Sequence, residues 1–279
     1  MSAPLISVRD LRVSLPNRAA KPVFGPAPML EIVKGLNLDI PRGQALALVG
    51  ESGSGKTTVG RTLVGLIRPT AGEVLYDGVD IGQMDEAAFR PLRAKIQMIF
   101  QDPQSSLNPR LTIGAILSRP LQAFGRFDDD RGRKQRAGEL LDIVGLPAAF
   151  LHRYPHELSG GQRQRIGIAR ALALEPEFIV ADEIVSGLDV STQAQILLLL
   201  RQLRADFNLT LVFISHDLSV VRVLCDQVAV LSAGEIVEKG ETAEIFANPQ
   251  HPYTSELLDC VPLPDVEDGW IMREKVQAS

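Results

Sequence analysis

The sequence predicts an α/β fold with a parallel central sheet, and two observations support this prediction. Apolar runs recur along the chain, at residues 45–49, 96–100, 178–181 and 209–214, with helical stretches between several of them. Strands that alternate with helices pair in parallel, because each helix carries the chain back across the sheet. The second observation is a glycine-rich segment at residues 50–58, which directly follows the first apolar run.

Residues 50–58 form a complete phosphate-binding loop. The pattern Gly-x-x-x-x-Gly-Lys-Ser/Thr is filled by Gly50, Glu51, Ser52, Gly53, Ser54, Gly55, Lys56 and Thr57, and Thr58 follows it. Glycines allow backbone N–H groups to close around a phosphate chain, and the following helix N-terminus favours negative charge. Lys56 is expected to reach the β- and γ-phosphates, and the Thr57 hydroxyl to hold Mg²⁺. The alternative is a glycine-rich turn, which the strand before it and the helix after it disfavour.

The N-terminal region predicts a separate β-rich subdomain. Alternating runs at 5–8, 11–15 and 36–40 surround a loop rich in proline and glycine at 16–28. A hairpin-like segment at 72–78 follows the helix of the phosphate-binding loop.

Helical signals and charge dominate the middle of the chain, at residues 107–160. A helix is predicted at 190–205, between the last two strands of the parallel core, and a hairpin at 228–239. From Thr242 the chain is rich in proline and is expected to form an appendage.

Bulk properties narrow the functional classes. The chain has 279 residues, 45% apolar and 23% charged, with a net charge of −5, which is ordinary for a soluble globular protein and speaks against a nucleic-acid-binding role. No apolar run approaches the roughly 18 residues of a membrane-spanning helix, so we expect a cytosolic chain that reaches a membrane only by docking on another subunit. Cys225 and Cys260 lack Cys-x-x-Cys partners, which excludes a zinc or iron–sulfur site.

Two carboxylates follow the buried strand at 178–181. Asp182 is expected to hold the metal ion, directly or through water, because a carboxylate at this strand end lies beside the phosphate-binding loop. Glu183 is expected to act as the general base that polarises the attacking water. An Asp-Glu pair alone is common on protein surfaces, so the prediction depends on the apolar run before it.

A second anion-binding motif opens a helix predicted at 163–174. It contains Leu158 and then Ser159, Gly160, Gly161 and Gln162. A helix N-terminus with small residues attracts anions. The alternative is an ordinary helix capped by Ser159, which has no ligand.

In this order, the motifs resemble those of an ABC-transporter ATPase subunit across residues 5–262. The resemblance implies a P-loop NTPase (RecA-like) core, an N-terminal antiparallel β subdomain and a helical signature subdomain at about 107–160. It also implies a nucleotide-binding domain at 1–241 and a C-terminal oligopeptide-transporter-type extension at 242–279. The implied ligands are ATP and Mg²⁺.

The resemblance also assigns roles to individual residues. Gln101 resembles the glutamine that touches Mg²⁺ and water, and His216 the histidine that contacts the γ-phosphate. Two nucleotide domains of this family pair head to tail and hold ATP between the phosphate-binding loop of one and the Ser-Gly-Gly motif of the other. Asp189 occupies the family's aspartate position after the second carboxylate strand. The adenine-stacking aromatic is less defined, with Phe24 as the candidate.

Three segments are similar to the peptide and nickel importer branch of the family. They are FQDPQSSLNPR at 100–110, YPHE at 154–157 and NPQHPYT at 248–254. One departure stands at 184–187, where Ile-Val-Ser-Gly replaces the usual Pro-Thr-Ser-Ala. Loss of the proline and the threonine at 184 and 185, together with Gly187 in place of alanine, is expected to loosen the loop that leads to Asp189.

The resemblance implies a peripheral ATPase at the cytoplasmic face of the inner membrane, which powers import of di- or oligopeptides. Implied partners are two transmembrane permease subunits, a second ATPase subunit in a homo- or heterodimer, and a substrate-binding protein, with no nucleic acid. Importers of nickel, opines or glutathione would share these motifs. Two other classes remain: a single-cassette ATPase that acts on ribosomes or DNA, and a regulatory subunit that binds ATP without hydrolysing it.

Overall fold

A computed structural model describes residues 3–20 and 25–259. Within these ranges the strands are β1 (Ile6–Pro16), β2 (Met29–Ile40), β3 (Ala45–Val49), β4 (Ala71–Tyr76), β5 (Val79–Asp80), β6 (Ile96–Ile99), β7 (Phe178–Asp182), β8 (Thr210–Ser215), β9 (Gln227–Ser232) and β10 (Glu235–Glu241). The helices are α1 (Lys56–Leu63), α2 (Glu86–Phe89), α3 (Pro103–Ser106), α4 (Ile113–Ala123), α5 (Asp130–Ile143), α6 (Gly160–Leu172), α7 (Val190–Phe207), α8 (Leu218–Leu224), α9 (Thr242–Ala247) and α10 (Pro252–Asp259). None of the helices in the described ranges is long and apolar enough to cross a membrane.

The strands form two sheets. The larger has the order β10-β9-β3-β8-β7-β6, in which β9, β3, β8, β7 and β6 run parallel and β10 pairs antiparallel with β9. The smaller sheet is antiparallel, with the order β2-β1-β4-β5. The predicted α/β fold, with its parallel core and N-terminal antiparallel sheet, is therefore confirmed.

The larger sheet separates two hydrophobic cores. Ala45, Ala47 and Val49 of β3 belong to the core that also contains buried residues of α4 to α8. Leu46 and Leu48 point to the other core, which contains α1 and the antiparallel sheet. This alternation follows from the period of two along a strand, and it explains why β3 is apolar at every position.

Several boundaries differ from the sequence prediction. The runs at 5–8 and 11–15 form one strand, β1, whose register shifts between Val8 and Leu11 because a bulge interrupts the alternation. Helix α6 begins at Gly160 rather than at 163, and the appendage after β10 contains helices α9 and α10. Within the range predicted as a loop, Pro16 is the last residue of β1 and Arg18–Ala20 form a short 3-10 helix. Residues 21–24, which include Phe24, lie outside the described residues.

Candidate nucleotide site

The phosphate-binding loop lies between β3 and α1, as its pattern predicts. Gly50 has a φ of 146°, and a Cβ atom there would lie 2.1 Å from the carbonyl oxygen of Leu231 on β9. At the other end of the loop, Gly55 has a φ of 107° and precedes the first residue of α1. Both glycines are therefore required by the backbone, the first also by the close approach of β9.

Lys56 is buried, with 4% of its surface exposed. Its Nζ atom donates hydrogen bonds of 2.7 Å to the carbonyl oxygens of Gly50 and Glu51. Burial lowers the pKa of Lys56, while the carboxylates of Glu183, Asp182 and Glu51 act in the opposite direction. The ammonium group is thus held inside the curve of the loop, where a phosphate chain would neutralise it.

Thr57 and Asp182 meet at the mouth of this loop. The Thr57 hydroxyl donates a 3.0 Å hydrogen bond to Oδ1 of Asp182, the last residue of β7. Burial raises the pKa of Asp182, which the hydrogen bond from Thr57 partly offsets. A hydroxyl and a single carboxylate fit Mg²⁺, which prefers oxygen ligands and takes its remaining ones from water and nucleotide phosphates.

Glu183, Gln101 and His216 form a polar group beside this pair. Glu183 has a φ of 45°, and its backbone N–H donates to the carbonyl of Ile214 at 3.0 Å. Its Oε2 accepts a 2.7 Å hydrogen bond from Nε2 of Gln101, and its Oε1 lies 3.6 Å from Nδ1 of His216. A left-handed glutamate costs about 1–3 kcal/mol and persists only where its surroundings fix it. The hydrogen bond to Ile214 on β8 thus helps to fix the Glu183 backbone, and the carboxylate lies beside Gln101 and His216.

The Ser-Gly-Gly motif opens α6. Ser159 caps the helix, since its hydroxyl accepts the N–H of Gln162 at 3.3 Å while Gln162 Oε1 accepts the N–H of Ser159 at 2.9 Å. These two hydrogen bonds form a capping box. This cap is compatible with both predictions for the motif, an anion-binding site and an ordinary capped helix. The Ser159 and Gln162 oxygen atoms accept backbone N–H groups, and the two glycines have no side chains to cover the start of the helix.

Asp189 caps the next helix, α7. Its carboxylate accepts hydrogen bonds from the backbone N–H of Thr192 at 2.9 Å, from the Thr192 hydroxyl at 2.7 Å and from the Ser191 hydroxyl at 2.7 Å. These bonds, led by the Thr192 N–H, lower the pKa of Asp189 to about 2. Gly161 faces Thr192, since a Cβ atom at 161 would lie 2.4 Å from its Cγ2.

The predicted residues therefore fall into two groups. Hydrogen bonds, an ion pair and electrostatic interactions connect the first group, which contains Lys56, Thr57, Gln101, Asp182, Glu183 and His216. The second contains the α6 motif and Asp189. Within the described ranges no hydrogen bond or ion pair joins the two groups.

Sequence reasoning missed two features of this region. Ile184 and Val185 are 1% and 4% exposed and belong to the core around α6 and α7, so the departure at 184–187 is anchored rather than loosened at these two positions. Tyr253 of α10 accepts a 3.0 Å hydrogen bond from the N–H of Glu51 in the phosphate-binding loop. The motif at 248–254 contained this tyrosine, but nothing local indicated its partner.

Comparison with protein families gives two matches along the chain. The ABC transporter family matches residues 33–186, and the C-terminal region of oligopeptide/dipeptide transporters matches residues 237–278. The first match spans the phosphate-binding loop, the α6 motif and both carboxylates. The second begins within β10 and includes Tyr253.

Two curated relatives are similar over nearly the whole chain. A protein of Streptococcus pyogenes named oligopeptide transport ATP-binding protein OppF is 50% identical over 266 residues, which are 95% of this chain and 84% of the relative. A protein of Brucella ovis named for peptide import and ATP binding is 50% identical over 262 residues, 94% of this chain and 80% of the relative.

Solved structures agree with the fold. The dimeric ATP-binding cassette MJ0796, in a post-hydrolysis state bound to ADP and Pi, has a TM-score of 0.74 at 30% identity and covers 85% of this chain and 98% of its own. The structure of cbiO1 from Clostridium perfringens, part of the ABC transporter complex cbiONQ, has a TM-score of 0.75 at 26% identity, covering 88% and 92%.

Proposed function

The chain belongs to the ABC transporter family of ATP-binding proteins, and from this premise we propose that it is the ATP-hydrolysing subunit of an importer of di- or oligopeptides. Two results together support di- or oligopeptides as the cargo. Relatives that are 50% identical over nearly the whole chain are named for peptide transport, and the oligopeptide/dipeptide transporter region matches the tail.

In this proposal the phosphate-binding loop and the polar group of Glu183, Gln101 and His216 together carry out hydrolysis. Lys56 and the backbone N–H groups of the loop bind the β- and γ-phosphates and stabilise the charge of the transferred phosphoryl group. Glu183 accepts the proton of the attacking water, while Gln101 holds its Oε2 and fixes the direction of its other oxygen. His216 lies within 3.6 Å of the same carboxylate and is placed to contact the γ-phosphate.

Thr57, Asp182 and Gln101 would hold Mg²⁺. When bound, the ion neutralises charge on the phosphates. The hydrogen bond between Thr57 and Asp182 supports this assignment, because it brings two oxygen ligands together at the end of β7 beside the loop. A carboxylate that burial has already destabilised also gains from a cation.

A second nucleotide domain would complete the site. Since no hydrogen bond or ion pair in the described part of the chain joins the α6 motif to the phosphate-binding loop, we assign Ser159, Gly160, Gly161, Gln162 and Asp189 to ATP held on the loop of a partner. The solved cassette MJ0796, a similar protein, is dimeric, which supports this arrangement.

The proposed assembly contains two permease subunits, a second ATPase subunit and a substrate-binding protein, and it places the chain at the cytoplasmic face of the inner membrane. We further assign residues 1–241 to the nucleotide-binding domain, with its helical part at about 107–160, and 242–279 to the extension. The pairing of β10 with β9 supports a boundary after Glu241.

The test compares phosphate release by the wild type, Glu183→Gln and the control Glu73→Gln, an exposed carboxylate on β4. Loss of a general base is expected to slow hydrolysis by about 10²- to 10⁴-fold while ATP binding persists. The control should hydrolyse at the wild-type rate. Hydrolysis by Glu183→Gln at the wild-type rate would show that Glu183 is not the base.

A pull-down from detergent-solubilised membranes with Glu183→Gln and ATP tests the transport assignment. Recovery of two permeases, a second ATPase and a peptide-binding protein would support the importer. Recovery of ribosomes or DNA-repair proteins would leave the ATPase assignment in place and refute the transport assignment.

A further inference from the structure

The C-terminal tail docks on the edge of the larger sheet through Glu238 of β10. Its carboxylate accepts hydrogen bonds from the N–H groups of Gln250 at 2.8 Å and His251 at 3.0 Å. Burial alone would raise the pKa of Glu238, but these N–H donors lower it. The carboxylate is therefore ionised while it holds the tail.

His251 then fixes the start of α10. Its Nδ1 accepts the N–H of Tyr253 at 3.2 Å, and its carbonyl accepts the N–H of Thr254 at 2.9 Å. Helix α10 is anchored further by the buried Thr254 and Leu258. Tyr253 is half-buried and packs against the core, so the position of its hydroxyl is set by the helix rather than by a flexible side chain.

The Tyr253 hydroxyl accepts the N–H of Glu51 at 3.0 Å. That N–H belongs to the same peptide group as the Gly50 carbonyl, which accepts the 2.7 Å hydrogen bond from Lys56 Nζ. One peptide group thus lies between the two side chains, with its oxygen toward the lysine and its hydrogen toward the tyrosine. Each bond polarises the peptide in the direction that strengthens the other.

This peptide group has no support from regular structure. Strand β3 ends at Val49 and α1 begins at Lys56, so neither a ladder nor a helix fixes its orientation. Gly50, at a φ of 146°, has no Cβ atom to restrict rotation about its backbone bonds. Without an acceptor for the Glu51 N–H, the peptide could rotate and turn its oxygen away from Lys56.

We propose that Tyr253 is a positioning residue for Lys56, which acts by holding the Gly50–Glu51 peptide in the orientation that directs the Gly50 carbonyl to the ammonium group. The inference rests on the proposed function of Lys56 in ATP binding. It gives the tail, separated from the loop by 202 positions, a direct part in the affinity for nucleotide.

The test uses the full chain and the substitution Tyr253→Phe, which removes the hydroxyl and keeps the ring. The measurements are the Kd of fluorescent Mg-ATP, KM and kcat of hydrolysis, Tm, and the hydrogen-exchange rate of the Glu51 amide. Loss of a single net hydrogen bond predicts a rise of about three- to tenfold in Kd and KM, with kcat within twofold of the wild type. The Glu51 amide should exchange faster, while Tm falls by no more than about 2–4 °C, the shift that about 1 kcal/mol produces. A purely structural role would lower Tm and leave Kd unchanged.

Two further variants sharpen the result. Tyr154→Phe, which removes the hydroxyl of an exposed tyrosine in the helical region, should match the wild type in all four measurements. Glu238→Ala removes the acceptor that docks the tail and should raise KM in the same direction without touching the loop. Its effect keeps the inference testable if Tyr253→Phe should fold poorly.

The outcomes separate the two hypotheses. Wild-type Kd and Glu51 exchange in Tyr253→Phe, with normal ATP binding by the wild type, would overturn the role of Tyr253 and leave the ATPase assignment intact. Absence of Mg-ATP binding by the wild type would instead refute the proposed function.

Discussion

Two neighbouring glycines at the start of α6 should respond very differently to the same added methyl group. A Cβ atom at Gly160 would lie 3.4 Å from Cδ2 of Leu188, an ordinary contact. At Gly161 it would lie 2.4 Å from Cγ2 of Thr192, a distance that real Cβ atoms do not show. Thr192 cannot turn away, because Asp189 holds both its hydroxyl and its backbone N–H.

The expected difference follows from these distances. Both substitutions to alanine gain a similar helix propensity, about 0.5–1 kcal/mol at most, so that gain cancels when the two variants are compared. Overpacking costs about 1–3 kcal/mol and applies only at Gly161. Gly161→Ala should therefore melt below Gly160→Ala by roughly 2–12 °C, if 1 kcal/mol corresponds to about 2–4 °C in a chain of this size.

The assay is thermal unfolding followed by circular dichroism, for the two alanine variants with and without Thr192→Ser. Serine keeps the hydroxyl that binds Asp189 and lacks Cγ2, so the cost of Gly161→Ala should largely disappear in that background. Equal Tm values for Gly160→Ala and Gly161→Ala would refute the reasoning. So would a gap that Thr192→Ser does not narrow.

Three further predictions concern single side chains. Asp182→Asn should lose Mg²⁺-dependent phosphate release by more than about tenfold, because the neutral amide is a poor ligand for a hard cation; unchanged release at limiting Mg²⁺ would contradict the assignment. Asp189→Ala should lower Tm at neutral pH, and since the pKa of Asp189 is lowered to about 2, its stabilising effect is complete above about pH 4 and lost as the pH falls toward 2. The difference in Tm between the wild type and Asp189→Ala should therefore close between about pH 4 and pH 2. A constant difference would contradict the stabilising role of the ionised Asp189. Cys225 is buried, which raises the pKa of its thiol, so mass spectrometry should find it unmodified by iodoacetamide until urea unfolds the protein.

The parts of the fold that could be predicted are those whose pattern is local. Strands β3, β7 and β8 are buried on both faces and therefore appear as unbroken apolar runs. The boundaries of β1 and α6 could not be predicted in this way. A bulge leaves Arg9 and Asp10 both exposed and so breaks the alternation, and two glycines start α6 against their propensity because the cap at Ser159 compensates.

The same distinction applies to the candidate site. The phosphate-binding loop and the carboxylates after β7 could be named because each motif is contiguous and sits next to a recognisable strand. The contacts of the tail could not, since Glu238 meets Gln250 and Tyr253 meets Glu51 only after the chain has folded. The burial of Ile184 and Val185 could not be predicted either, because the sequence at this departure from the family pattern does not indicate which core the two side chains enter.

Because the larger sheet separates two hydrophobic cores, a destabilising substitution in one of its strands should affect only one side of the molecule. Successive residues of β3 belong to different cores, with Ala47 on the side of the long helices and Leu48 on the side of the antiparallel sheet. A cavity made at Leu48 would loosen α1 and β1 while the packing around α6 and α7 stays intact. Hydrogen exchange should therefore show faster exchange in different layers for substitutions at Ala47 and Leu48. Only the loop that follows Val49 should exchange faster in both variants.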